Sequence, residues 1–182
     1  YGDNVCVEPR HTCDLFGNLI TSVYSYAFTF VSDCEIKLAD QTDRSVIQRI
    51  RAKRGPSSSM EVAIRVGQDT LLLSGWAREG QVTLNGVSLA GSALPFQRVG
   101  GLRVAYMTEA SVTSSVRVYL PFDGTVVDFD GTSVQVKVPA SKRAGLEGLC
   151  GVQTGVQSGG GFGMYLQPDG SGTELLGSTV CG

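Results

Sequence analysis

The chain has 182 residues, 42% hydrophobic and 18% charged, with a net charge of −2. That length suits one domain with a core large enough that its cysteines are not needed merely to hold a miniature fold together. The near-neutral balance gives no reason to expect nucleic acid or an anionic membrane as a partner, and no apolar run approaches the roughly 18 residues of a membrane helix.

Twenty-four glycines, with abundant Ser, Thr and Val, point to an all-β chain rich in tight turns. The spacing predicts a strand over Thr21 to Val31, where Val23, Tyr24, Tyr26, Phe28 and Phe30 are β-formers. Glu35 to Leu38 leads toward a second. Ser45 to Lys53 alternates Val46, Gln48, Ile50 and Ala52 against Ile47, Arg49, Arg51 and Lys53. Gly55-Pro56-Ser57-Ser58-Ser59 reads as a turn. Met60, Val62, Ile64 and Val66 then alternate with Glu61, Ala63 and Arg65, a clear period of two. Thr70 to Leu73 follows, and Val82 to Val87 carries Asn85-Gly86 between apolar residues, a strong hairpin signal. Leu102 to Tyr106 and Val112 to Leu120 repeat the alternation. Val126 to Phe129 then meets Val134 to Val138 across Asp130-Gly131. About ten evenly spaced strands imply an all-β antiparallel sandwich or barrel. Ser141 to Leu149 carries at most a helical turn, and Gln153 to Gly163 reads as loop. Residues 1–182 are expected to form a single domain, with 152–182 as a loop-rich C-terminal segment.

Cys6, Cys13 and Cys34 come early; Cys150 and Cys181 come late, after about a hundred cysteine-free residues. With no CxxC and one histidine, no zinc or other metal site is expected. Disulfides are, leaving one thiol free or bonded to another chain. The chain starts without Met and ends just after a cysteine, so it is expected to be a processed fragment of a secreted protein.

Catalytic groups are few. His11 has no second histidine with which to build a metal motif. Gly159 to Gly163 precedes no helix pattern, and Asp123, Asp128 and Asp130 read as turn caps and surface charge. An enzyme is not expected. Arg51-Ala52-Lys53-Arg54 reads two ways. It resembles the basic sites cut by secretory-pathway convertases, at a strand end before a loop that a protease could reach, but the favoured reading is a basic strand edge that discourages aggregation. Trp76, Tyr24, Tyr26, Phe28 and Phe30 either line a pocket for a lipid or carotenoid or are plain core.

Several segments, taken in order, resemble the von Willebrand factor type D family. They are Cys6-Val7 followed by His11 and Gly17, Cys34-Glu35-Ile36-Lys37-Leu38-Ala39, Val82-Thr83-Leu84-Asn85-Gly86, Leu94-Pro95, Phe129-Asp130-Gly131 with Val134 to Pro139, and Gly148-Leu149-Cys150-Gly151. The resemblance implies a disulfide-stapled antiparallel β-sandwich with Cys6 bonded to Cys150 and Cys34 to Cys181. Cys13 is then either a buried free thiol or the partner of another chain. Many members of that family bind calcium between an opening Asp and an acidic loop after Gly-Leu-Cys-Gly. Here the opening reads Leu15-Phe16-Gly17 and the loop from Val152 to Ser158 has no carboxylate, so that site is expected to be lost, Asp14 alone being too few ligands. Glu8-Pro9-Arg10-His11 lacks the Asp-Pro bond at which some relatives cleave themselves, and Glu147 stands where the mucin and clotting-factor branch has a cysteine.

These departures most resemble the type D domain of vitellogenins and large lipid-transfer apolipoproteins. They imply a non-enzymatic, secreted module of a lipid-transport or storage protein that contacts other segments or subunits of its parent lipoprotein. The alternatives are an assembly module of an extracellular matrix or mucin-like polymer, or a binder of an apolar ligand such as a lipid or carotenoid. No other cofactor, no nucleic acid and no membrane span are expected.

Overall fold

A computed structural model describes residues 8–30, 34–43, 46–54, 59–74, 81–89, 96–97, 102–108, 114–120 and 124–153. The chain opens with three strands, β1 (Arg10–Phe16), β2 (Leu19–Thr21) and β3 (Ala27–Thr29). It next builds β4 (Ile36–Asp43), β5 (Val46–Arg54), β6 (Met60–Val66), β7 (Asp69–Ser74), β8 (Gln81–Leu84) and β9 (Val87–Leu89). It closes with β10 (Phe96–Gln97), β11 (Arg103–Thr108), β12 (Ser114–Tyr119), β13 (Val126–Phe129) and β14 (Ser133–Pro139). The six middle strands form one antiparallel sheet in sequence order. The others form an eight-stranded sheet in the order β10-β11-β12-β13-β14-β1-β2-β3. Every pairing joins sequence neighbours except β14 with β1, whose register runs from Arg10↔Pro139 to Phe16↔Ser133. The last strand therefore locks onto the first, and the whole six-stranded sheet is an excursion between them.

Period-two alternation decides which side chains meet between the sheets. Met60, Val62, Ile64 and Val66 are buried while Glu61 and Arg65 are exposed. Val134, Val136 and Val138 are likewise buried between half-buried neighbours. Cys13, Leu15, Ile20, Val116, Val118 and Phe129 of one sheet share a single core with Leu38, Ile50, Val62, Leu71 and Leu73 of the other. Each such aliphatic side chain, fully buried, contributes about 1.5–3 kcal/mol. The expected all-β sandwich is the observed one. Asn85 (φ 51°) and Gly86 (φ 82°) both sit in the left-handed region, as a two-residue hairpin turn requires.

One predicted strand is broken. Thr21 to Val31 is not continuous: β2 ends at Thr21 and β3 covers only Ala27–Thr29. Ser22 Oγ accepts hydrogen bonds from the amides of Tyr24 and Tyr26, and Ser25 turns the chain at φ 62°. Local side-chain-to-backbone bonding outcompetes the β propensity of the aromatics. Conversely, Arg10–Phe16 forms a strand although residue pattern alone did not mark one there.

Candidate functional site: the clamp around Cys150

Strand β1 points Cys13 and Leu15 inward, because alternate residues share a face, and Cys13 lies opposite Val136 of β14. Its sulfur is bonded to Cys150, with Cα atoms 5.4 Å apart and 137 positions between them in sequence. Both cysteines are buried. This corrects the expected Cys6–Cys150 pairing and removes Cys13 as a free or interchain thiol. The expectation took the first cysteine as the opening one, but the inward position on β1 belongs to Cys13. Cys34 is also disulfide-bonded. The expected Cys34–Cys181 pairing lies outside the described residues, as do Cys6 and Cys181.

Cys150 sits in a short 3-10 turn, Leu149–Gly151, held by two glycines. Gly148 has φ 104°, and a β-carbon there would lie 2.5 Å from the carbonyl oxygen of Leu38 in β4. A β-carbon on Gly151 would clash with the carbonyl oxygen of Leu146. Only glycine fits either place. Leu149 fills the space between, fully buried. On one side, Asp40 and Glu147 exchange a pair of backbone hydrogen bonds at 2.9 and 3.1 Å. On the other, the amide of Val23 donates to the carbonyl of Cys150 at 3.0 Å. The turn after β2, the edge strand β4 and, through the disulfide, β1 are thus fastened to one point that joins both sheets.

Charge is concentrated beside this clamp. Asp40 Oδ2 lies 3.1 Å from Arg51, 3.7 Å from Lys37 and 3.9 Å from Arg49, and Lys37 also reaches Glu147 at 3.0 Å. Asp40 Oδ1 is buried and has no hydrogen-bond partner among the described residues. Burial raises the Asp40 carboxyl above its ordinary range, outweighing Arg51, Lys37 and Arg49. A second carboxylate, Asp128, accepts a bidentate pair from Arg117 at 2.7 and 2.9 Å and a further ion pair from Lys137 at 2.9 Å. Burial acts to raise it, but these donors win and hold it below its ordinary value. Asp130 is spent on its own turn, accepting from the amides of Thr132 and Ser133 and from both hydroxyls.

Those bonds bear on calcium. Asp14 is raised by burial and by the nearby charge of Asp130. Asp130, its charged neighbour, already serves as a turn cap, and Val152 and Gln153 bring no carboxylate. Among the described residues no three metal-binding side chains converge. Among the described residues these donors do not make up the six to eight oxygens that calcium takes. Residues 154–158 of the loop lie outside the described residues.

Arg51, Lys53 and Arg54 belong to the end of β5: Arg51 is paired with both β4 and β6, whereas Lys53 and Arg54 are paired with β6 alone. The segment is strand rather than loop, and its last two residues have no partner in β4. Residues Gly55 to Ser58 lie outside the described residues.

The aromatics do not converge either. Tyr26 stacks on Phe28, while the Tyr24 hydroxyl donates to the carbonyl of Arg143, whose guanidinium lies over the Tyr24 ring. Phe30 lines a separate, narrow recess of about 10 Å³ with Leu15, Cys34, Ile36 and Met60. That is room for about one water, far below an ordinary small-molecule site. Trp76 lies outside the described residues. His11 faces Val138 in the β1–β14 ladder.

The family model of the von Willebrand factor type D domain matches residues 13–158, beginning at the first half of the observed disulfide. No curated protein matches the chain. The two-sheet fold, the Cys13–Cys150 bond and a match over most of the sequence agree. The chain belongs to the von Willebrand factor type D domain family, a family of non-enzymatic modules that occur in extracellular proteins and engage in protein–protein assembly.

Proposed function

We propose that this chain is the type D module of a secreted lipid carrier of the vitellogenin or large-apolipoprotein kind. In this reading 1–182 acts as one domain, with 152–182 as its loop-rich C-terminal segment, and a second staple joins Cys34 to Cys181. The module works as a rigid block that packs against other segments or subunits of its parent lipoprotein. The observation that carries the reading is the clamp at Cys150. It keeps the glycines and the cysteine of the type D element, yet Glu147, where a polymer-forming branch has a cysteine, serves as an ion partner of Lys37. A domain that keeps the internal staple without the extra cysteine suits packing within one particle better than covalent polymerisation.

The matrix-polymer alternative relied on Cys13 as an interchain thiol, and the Cys13–Cys150 bond removes that support. For the apolar-ligand alternative, the recess at Phe30, of about 10 Å³, is too small to hold a lipid or carotenoid. Flotation of the native full-length protein on a density gradient tests the carrier reading. The chain should rise with lipid in the lipoprotein fractions. Recovery of the native protein only in lipid-free, dense fractions would contradict it.

A further inference from the structure

The outer face of the six-stranded sheet collects positive charge that the chain's net charge of −2 conceals. Ile50 and Ala52 of β5 point into the core, so Arg49, Arg51 and Lys53 point outward from the same strand. The register then sets like charges directly opposite one another. Arg49 faces Arg65 of β6, and Arg51 faces Lys37 of β4. Like-charged cross-strand neighbours destabilise a sheet; Asp40 supplies a counter-charge to Arg51, Lys37 and Arg49, while Arg65 turns to the carbonyl of Gly67.

Carboxylates balance this face only partly. Asp40 and Glu147 engage Lys37, Arg51 and, at 3.9 Å, Arg49 at one side, and Glu61 stands opposite Lys53. Lys53 and Arg65 are exposed, and Arg49 keeps 42% of its side chain accessible. The exposed cations are spread over two neighbouring strands, Arg49 and Lys53 on β5 and Arg65 on β6, so they suit a chain carrying repeated charges rather than a single ion. Among the described residues its outward positions offer Ala63 and Leu72 but no aromatic side chain. That is poor material for the core of a protein–protein interface. Arginine forks match planar or tetrahedral oxyanions such as sulfate. In the extracellular setting of this family, the abundant polyanions of that chemistry are polysaccharides rather than nucleic acids.

We propose that the outer face of β5 and β6, centred on Arg49, Lys53 and Arg65, is a docking surface for a sulfated polysaccharide. Heparin is the probe. The 182-residue protein with its disulfides intact should be retained on immobilised heparin at about 0.15 M NaCl, where charges more than a Debye length apart are screened. The triple variant Arg49→Gln, Lys53→Gln, Arg65→Gln should keep its circular dichroism and thermal midpoint and lose roughly ten-fold or more in affinity. A control triple, Arg10→Gln, Arg103→Gln, Lys142→Gln, removes the same charge elsewhere and should lose less than about three-fold. Three outcomes would overturn the proposal: no retention of the wild type, an equal loss in both triples, or competition by polyglutamate as effective as by heparin.

Discussion

Gly148 and Leu38 are in backbone contact so close that a β-carbon on Gly148 would sit 2.5 Å from the Leu38 carbonyl oxygen. The pair joins the segment that carries Cys150 to the edge strand of the six-stranded sheet. Gly148→Ala is therefore expected to destabilise the domain by about 3 kcal/mol or more, combining a strained left-handed backbone with a clash against main chain. Gly67→Ala, at φ 59° with open space around it, should cost only about 1–2 kcal/mol. Denaturant unfolding of both variants gives the comparison; equal losses would mean that the contact with Leu38 is not restrictive.

The Cys13–Cys150 bond closes a loop of 137 positions. In the chain-entropy model such a loop constrains the unfolded state by about 4–5 kcal/mol. Cys13→Ala should lower stability by that order and should not abolish a disulfide-linked dimer, if one forms, on a non-reducing gel. Loss of such a dimer in this variant would return Cys13 to an interchain role.

The basic run at Arg51 to Arg54 should resist cleavage in the native state. Strand β5 is paired on both sides up to Ala52 and with β6 alone at Lys53 and Arg54, Ala52 is buried, and Arg51 is tied to Asp40 at 3.1 Å. A protease must first free Arg51 and Ala52 from two neighbours and Lys53 and Arg54 from β6. Incubation with a furin-type convertase should leave the intact mass unchanged, whereas the denatured protein should be cut after Arg54. Rapid nicking of the folded domain would show that β5 opens readily.

Asp128 and Asp130 supply an acid-sensitive part of the stability. Burial acts to raise both carboxyls, but hydrogen bonds from Arg117 and Lys137, and from Thr132 and Ser133, hold them below their unfolded values. Their contribution is thus present above the unfolded carboxylate range and is lost as pH falls through the lower folded values. Asp130→Asn should cost about 1–2 kcal/mol at neutral pH, and the gap from wild type should close in strong acid. Asp40 runs the other way. Burial raises it, so its ionised form weakens the fold as pH climbs through the raised value. Thermal unfolding across pH, for wild type and each Asn variant, checks both signs.

The strands that alternate cleanly were legible. Met60 to Val66 and the Val82 to Val87 hairpin needed only a period of two and an Asn-Gly pair, because burial on one face dictates that pattern. The turn at Ser22 to Tyr26 was not, because its aromatic residues carry strand propensity while two serines decide the backbone. The clamp was half legible. Gly-Leu-Cys-Gly marked Cys150, but its partner depends on which early cysteine faces inward from β1, and that follows from the β1–β14 register across more than a hundred residues. The basic face was hidden for a related reason. Net charge averages over both sheets, and only the pairing of Arg49 with Arg65 shows where the cations gather.

The central claim is a two-sheet type D module clamped through Cys13 and Cys150. Disulfide mapping of the native protein tests it most directly, by proteolysis without reduction after alkylation of free thiols, followed by mass spectrometry. The account predicts a cross-linked peptide joining the segment around Cys13 to the segment around Cys150, with neither cysteine alkylated. A Cys6–Cys150 cross-link, or an alkylated Cys13, would contradict it.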